Sequence, residues 1–286
     1  MHRSLFAVNI IFFFSSCYSP RYVYSPVTQN IPLVSKKNDL KVAAYFSSGL
    51  GSNDLQVYKK GSNLGLDIQG AYAFTNKVAV ILNYYNRWEK NGVDNDIVVG
   101  DSIGIKYKRN LIEVGLGYYS ILNNTNIAFQ VFGGIGIGKF TIKETIAQNR
   151  TSSGRFHNSD VTILFIQPAI ISGFIKNFTA GFSSRFSAIF YNNIMTDYTD
   201  SELKQYFLSE LSHSPVFFWE PAMDYTYGPK KLPGIRLEMQ LGFSILLNSR
   251  FVDYRTMNMA LGITSDLAFK RHASKTSKTN TRTGVN

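Results

Sequence analysis

The amino-acid sequence predicts an all-β protein: a closed antiparallel transmembrane β-barrel of about ten strands, with eight or twelve strands as the alternatives. Three observations favour this fold class. Stretches of about ten residues alternate between apolar and polar side chains, which is the period of a strand with one apolar face. Their connections alternate between long polar loops and short turns, as in barrels of the bacterial outer membrane. Aromatic residues make up 14% of the 286 residues and charged residues only 17%, which suits a protein with much of its surface in lipid.

The clearest strands are Thr179–Tyr191 and Gly234–Leu246. In the first, the even positions from Ala180 to Phe190 are apolar or small, and Arg185 lies on the opposite face. The ten predicted strands cover about 40–47, 63–74, 77–88, 104–119, 126–143, 159–173, 179–191, 215–227, 234–246 and 253–264. Because ten is an even number, the alternation predicts that both chain termini lie on the inner side of the membrane.

Three segments depart from simple alternation. The apolar face of the strand 104–119 changes near Arg109 and Asn110, which predicts a β-bulge. The polar stretch 144–158 is predicted as a long outer loop. Residues 200–211 predict a short helix in another outer loop, because Leu203, Phe207 and Leu211 are four residues apart. Asp200 or Ser201 is the predicted cap of this helix.

The N-terminus resembles an export signal. Residues 1–16 combine a basic start with an apolar run and small residues, as in a secretory signal peptide. Cys17 is the sole cysteine and follows at the expected cleavage point, as in a bacterial lipobox. We expect Cys17 to be lipidated, so that its acyl chains hold the protein at the membrane. An ordinary signal peptide with an incidental cysteine is the alternative.

The remaining domain boundaries follow from composition. Residues 17–38 contain three prolines and predict a lipidated tether, part of which folds into the lumen. Residues 39–269 predict the outer-membrane barrel. The segment 270–286 predicts a basic disordered tail. Although the net charge is +11, no aromatic side chains are interleaved with the basic residues of this tail, so we expect no nucleic-acid partner.

Four short segments resemble outer-membrane β-barrel proteins, often lipoproteins, of the Bacteroidota. They are SSCYSPRYVYSP at Ser15–Pro26, EVGLGYY at Glu113–Tyr119, FIQPA at Phe165–Ala169 and FFWEPA at Phe217–Ala222. The resemblance covers most of residues 15–265. It implies the fold and a location in the outer membrane, and it implies no assigned activity.

The inward faces of the predicted strands carry acidic, basic and amide side chains. We predict a polar network in the lumen formed by Arg185, Glu220, Gln167, Glu113, Arg236 and Glu238, with Arg185 and Glu220 as its central pair. Buried charges are stable only when they are paired. A mutually satisfied polar plug is therefore the first interpretation, and a charge-lined pore is the alternative.

Candidate catalytic residues are few. His157 and Asp160, with Ser152 or Ser153, lie together in sequence near the predicted outer rim, as a surface hydrolase would require. Serine and aspartate are common in loops, however, so we expect no catalysis. The histidines show no metal-ligand spacing, and we expect neither metal nor cofactor.

These observations predict a non-enzymatic envelope protein, structural or surface-interacting. A small passive channel is the second hypothesis, and a surface hydrolase that uses residues near His157 is the third. We expect a monomer that contacts outer-membrane lipids and presents its outer loops to a surface ligand.

Overall fold

The computed structural model describes residues 21–50, 60–94, 102–122, 127–148, 151–175, 177–229, 231–232, 234–248 and 252–268. The predicted signal peptide, Cys17 and the basic tail 270–286 lie outside the described residues.

The described chain is almost entirely strand. Its strands are β1 Asp39–Leu50, β2 Lys60–Ala73, β3 Val78–Asp94, β4 Ser102–Ile121, β5 Ile127–Gln148, β6 Thr151–Ile175, β7 Phe178–Thr196, β8 Val216–Tyr227, β9 Ile235–Phe243, β10 Ile245–Leu246 and β11 Met257–Ala268. One short helix, α1, spans Asp200–Gln205. No described helix is long and apolar enough to cross a membrane.

The strands close into a ten-stranded antiparallel barrel. Each strand pairs with the next along the chain, and β1 closes the sheet by pairing with β11 from Asp39–Ala268 to Leu50–Met257. β9 and β10 are one strand interrupted at Ser244, because both pair with β8 in the same register. The predicted fold class, a closed barrel of about ten strands with a short helix, is confirmed.

A belt of apolar side chains surrounds the outside of the barrel. Leu82, Val114, Ile135 and Leu164 face outward from four consecutive strands and lie directly opposite one another. Leu82 is 58% exposed and Ile137 is 63% exposed. A soluble protein rarely exposes so large an apolar surface, whereas a closed barrel satisfies its backbone hydrogen bonds within lipid. The belt is therefore the membrane-facing surface, and the protein is a barrel of the bacterial outer membrane.

β4, β5 and β6 extend well beyond the belt at the end where the long connections lie, here called the loop end. The predicted loop 144–158 is wrong. These residues are mostly strand, and Glu144 lies directly opposite Arg155 in a β5–β6 hairpin that reaches Gln148 and Thr151. The predicted bulge near Arg109 is also wrong, because β4 keeps an unbroken register with both neighbours.

One physical change explains both errors. Above the membrane the outer face of the barrel is in water, and the inner face packs against an apolar cluster. Ile105 and Tyr107 of β4 are thus buried inside, while Lys106 and Lys108 point outward. β4 continues as a regular strand beyond the belt, but there its inner face is apolar and its outer face is polar.

The lumen is occupied by the chain that precedes β1. Residues 21–34, here called the lumen segment, are buried almost throughout. Val34 packs on Ala71 and Ala79 at the turn end of the barrel, Thr28 contacts Asp67 halfway up β2, and Tyr24 pairs with Tyr254 at the loop end. The sequence predicts that both chain termini lie on the inner side of the membrane, which is the side of the turn end. The barrel strands do begin there, but the described chain begins at Arg21, near the loop end.

An apolar cluster closes the loop end over the lumen segment. The β7–β8 connection folds inward, so that Tyr198, Leu208 and Leu211 pack with Tyr22 and Phe218. α1 is shorter than the predicted helix 200–211 because Tyr206 ends it and Phe207 has a φ of 55°, a left-handed conformation that an α-helix does not continue. Thr199 caps α1, where the sequence had predicted Asp200 or Ser201.

Candidate functional site: the occupied lumen

Three glutamines from the barrel wall bind the backbone of the lumen segment. Gln69 of β2 donates to the Thr28 carbonyl at 2.7 Å, and Gln167 of β6 donates to the Asn30 carbonyl at 2.7 Å. Gln240 of β9 binds the backbone of Gln29 twice, accepting from its N–H at 2.6 Å and donating to its carbonyl at 2.9 Å. A single extended segment has no neighbouring strand to satisfy its peptide groups. The wall side chains therefore replace the missing strand.

A buried ion pair holds the middle of the lumen segment. Arg87 binds Asp67 through two contacts, at 2.9 and 3.1 Å, and also donates to the Pro26 carbonyl at 3.2 Å. Asp67 accepts from the Thr28 hydroxyl at 2.5 Å. Such paired geometry is the strongest form of the guanidinium–carboxylate interaction. The pair fixes the depth to which the lumen segment is inserted.

Arg185 is the centre of a second buried network. Its Nη atoms contact the two Glu113 oxygens at 2.5 and 3.1 Å, whereas its Nε lies 3.6 Å from Glu220. The structure thus brings the predicted pair together, but with Glu113 as the nearer partner. Glu220 also accepts from the Tyr24 hydroxyl at 2.6 Å, which ties this network to the lumen segment.

The other predicted lumen residues lie in different places. Glu238 contacts Lys41 at 3.0 Å and accepts from the Tyr45 hydroxyl at 2.5 Å. Gln167 binds the lumen segment as described above. Arg236 lies at the turn-end rim, where its side chain is 29% exposed and contacts Asp266 at 2.6 Å. Five of the six predicted residues are therefore buried, and Arg236 belongs to the rim.

A further cluster of charged side chains lies near the loop end, and the sequence analysis did not predict it. Glu89 contacts Arg109 at 2.5 Å and Arg255 at 3.2 Å, and Arg109 donates to the carbonyls of Tyr22 and Val23. Arg21 contacts Glu144 at 2.5 Å. Sequence reasoning had placed Glu89 and Glu144 in polar loops. The signal that could have found them is the alternation itself, which continues above the membrane with its polarity exchanged.

The candidate catalytic residues His157 and Asp160 do not lie together. His157 is fully buried between Phe140 and Tyr198, and Asp160 faces outward, where it accepts from Asn193 at 2.8 Å. Among the described residues no cluster of three or more metal-binding side chains occurs. The arrangement supplies paired charges and an anchored backbone inside the barrel.

A small cavity lies between the lumen segment and the barrel wall. A cavity of about 40 Å³ lies between Val23 and Tyr24 of the lumen segment and the wall residues Tyr85, Leu111 and Ile163. That volume holds one or two water molecules.

Comparisons with known proteins indicate the fold alone. No family model matches the chain, and no curated protein matches its sequence. The translocator domain of the autotransporter NalP from Neisseria meningitidis is similar in structure, with 10% identity, 79% of this chain and 88% of that chain covered, and a TM-score of 0.47. The outer membrane protein OprG from Pseudomonas aeruginosa has 14% identity, 82% and 97% coverage, and a TM-score of 0.34. The attachment invasion locus protein Ail of Yersinia pestis has 12% identity, 81% and 99% coverage, and a TM-score of 0.31. The chain is thus similar to outer-membrane β-barrel proteins.

Proposed function

We propose that this protein is a non-enzymatic, non-conducting outer-membrane barrel that serves as a structural or surface-interaction component of the envelope. The observation that carries the proposal is the lumen segment, which is buried almost throughout and bound by side chains from β2, β3, β6 and β9. A monomeric barrel whose interior is occupied acts through its outside. We propose that its loop end, with α1 and the extended β4–β6 strands, faces the exterior and carries any ligand contact.

Conductance through planar bilayers tests this function. We expect the purified full chain to insert without steady ion current, because the lumen segment fills the route between the two ends. A variant that lacks residues 21–34 should conduct wherever it inserts, since ten strands enclose a water-sized passage once the segment is removed. Steady current through the full chain would contradict the proposal and favour a passive channel.

A matched control separates an open lumen from a damaged barrel. Folding of both proteins is checked by the shift of folded barrel on unheated gels. A conservative variant, Gln69→Glu, keeps the segment but weakens one of its anchors, and we expect brief openings rather than steady current. Silence of the variant that lacks 21–34, with folding intact, would show that the wall side chains and the inward-folded β7–β8 connection close the lumen without the segment, and would contradict the assigned role of the segment.

We also propose that Cys17 is acylated, so that the protein is a lipoprotein of the kind found in Bacteroidota. The proposal is supported by the position of Cys17 directly after a signal-like segment. Labelled palmitate should be incorporated into the wild-type chain, and Cys17→Ser should abolish incorporation. Equal labelling of both proteins would overturn the proposal.

A further inference from the structure

A row of lysines crosses the outward face of the barrel above the apolar belt. Lys90 of β3 lies directly opposite Lys106 of β4, which lies directly opposite Lys143 of β5. All three side chains are exposed. We call them the lysine row. Along β4 the row is six residues above Ile112, the last apolar position of the belt, which corresponds to about 15 Å along the membrane normal for a tilted strand.

Among the described side chains of this face, positive charges outnumber negative ones. Lys108 and Lys139 lie between the lysine row and the belt, and both are also exposed. Within the described ranges none of the five lysines forms an ion pair with a carboxylate. Asp160 is the acidic residue among the described side chains of this face; it lies opposite Lys139 and offsets at most one charge.

Like charges directly opposite one another destabilise a sheet. The lysine row therefore opposes the stability of the barrel when no anion is present. It also lies where an outer-leaflet headgroup meets the wall, and such headgroups supply anions.

A groove at the upper edge of the belt includes one of these lysines, Lys139. It has a volume of about 530 Å³ and lies on the outward face at the upper edge of the belt. Tyr84, Ile112 and Ile137 form its apolar part. Its polar groups come from Asn110, Lys139, Asp160, Thr162, Asn192 and Asn193. A surface with an apolar end continuous with the acyl region and a polar end below a basic row fits an amphiphile.

We propose that this face of β3–β6 is a binding surface for phosphorylated glycolipids of the outer leaflet. The acyl chains contact the belt, the sugar headgroup occupies the groove, and phosphates on the headgroup bind Lys139, Lys108 and the lysine row. The height of the row above the belt favours phosphates carried on sugars over those of a compact phospholipid. This inference goes beyond the proposed function and rests on the loop end facing outward, and it holds whether or not the lumen conducts.

Binding of a defined glycolipid to the full chain in non-ionic detergent tests the proposal. The probe is a lipopolysaccharide with a short sugar core, used intact and after chemical removal of its phosphates. Trp88 lies directly opposite Lys108, so tryptophan fluorescence reports occupancy of this face. We expect the intact probe to bind and the dephosphorylated probe to bind at least tenfold more weakly.

Two charge-matched variants locate the site. Removing three positive charges by K90Q/K106Q/K143Q should weaken binding of the intact probe tenfold or more. K36Q/K37Q/K77Q removes the same charge at the turn end and should leave the dissociation constant within about twofold. The first variant removes repulsion between the lysines and should fold. Equal affinity of the two variants would overturn the proposal.

Inorganic phosphate distinguishes a lipid surface from a free-anion site. At millimolar concentration it should neither change the fluorescence nor displace the probe, because it lacks the apolar and sugar contacts. Full displacement by phosphate would overturn the assignment to a glycolipid. Conductance of the same preparations is independent of these results, so failure of this proposal and failure of the closed-lumen function are separable.

Discussion

Arg185 and Arg236 show how the same residue type has different consequences in the barrel. Arg185 is 1% exposed and lies between Glu113 and Glu220, whereas Arg236 and its partner Asp266 are each about 30% exposed. At the rim, water solvates a charged side chain that has lost its partner. A carboxylate inside the lumen has no such compensation, and breaking a buried pair typically costs about 3–5 kcal/mol.

We therefore expect Arg185→Met to lower the free energy of unfolding by about 3–5 kcal/mol. Arg236→Met is the matched control and should lower it by about 1 kcal/mol or less. Urea unfolding in detergent micelles measures both. A loss for Arg236→Met as large as that for Arg185→Met would contradict the burial argument.

Helix α1 depends on its first turn because it has only six residues. The Thr199 hydroxyl accepts from the Glu202 N–H at 3.3 Å, and the Thr199 N–H donates to the Glu202 carboxylate at 2.7 Å. This backbone hydrogen bond from Thr199 holds the pKa of Glu202 below its ordinary value. The contribution of the cap is therefore present above the pKa of the unfolded chain and is lost as the pH falls through the lower pKa of the folded chain.

Thr199→Ala should loosen α1 by about 1 kcal/mol, which corresponds to about fivefold more opening. Trypsin cleavage after Lys204 in micelles measures that opening, provided that the cleavage is slower than reclosing. Ser201→Ala is the control, because Ser201 is exposed within the helix and is not its cap. Equal cleavage rates for the two variants would contradict the assigned cap. Acidification through the lowered pKa of Glu202 should accelerate cleavage within α1 of the wild-type chain, as measured with a protease that is active in acid, such as pepsin.

The molecule as a whole is built with its apolar surface outside and much of its charge inside. Phe46 is 68% exposed and Leu116 is 58% exposed, whereas Arg87 and Glu113 are buried. This inversion of the usual distribution is stable only where lipid or detergent covers the belt.

We expect the folded chain to be a detergent-dependent monomer. Removing detergent should cause aggregation, because the belts of separate molecules would associate. Size-exclusion chromatography with light scattering measures this. A monodisperse sample in detergent-free buffer would contradict the membrane assignment, and a water-soluble control barrel excludes an effect of the exchange itself.

The sequence predicts the strands of this barrel well wherever lipid lies outside and polar groups lie inside. The alternation from Ile235 to Phe243 predicts which face of the strand points outward, because the apolar face is the one that contacts the membrane. The same reasoning fails at Arg109, where the barrel leaves the membrane and an apolar cluster fills its interior. The sequence of a single strand carries no information about that change of surroundings.

The partner of a charged side chain is harder to predict than the face of the strand on which that side chain lies. Alternation places Arg185 inside, but Glu113 lies on β4 and Arg185 on β7, so their contact depends on the curvature of the closed wall. The lumen segment is similar. Its prolines exclude a regular strand, yet its partners Gln69, Gln167 and Gln240 come from three distant parts of the chain.

The lumen segment also constrains biogenesis. Arg21 to Val34 leave the ribosome before any of the strands whose side chains will hold them, and Gln240 on β9 is among the last of these to be synthesised. Arg21, Tyr22 and Tyr24 at its leading end are large side chains buried inside the closed barrel. We therefore expect the seam between β1 and β11 to close around a lumen segment that is already in place, so that residues 21–34 act as a template for the barrel that encloses them.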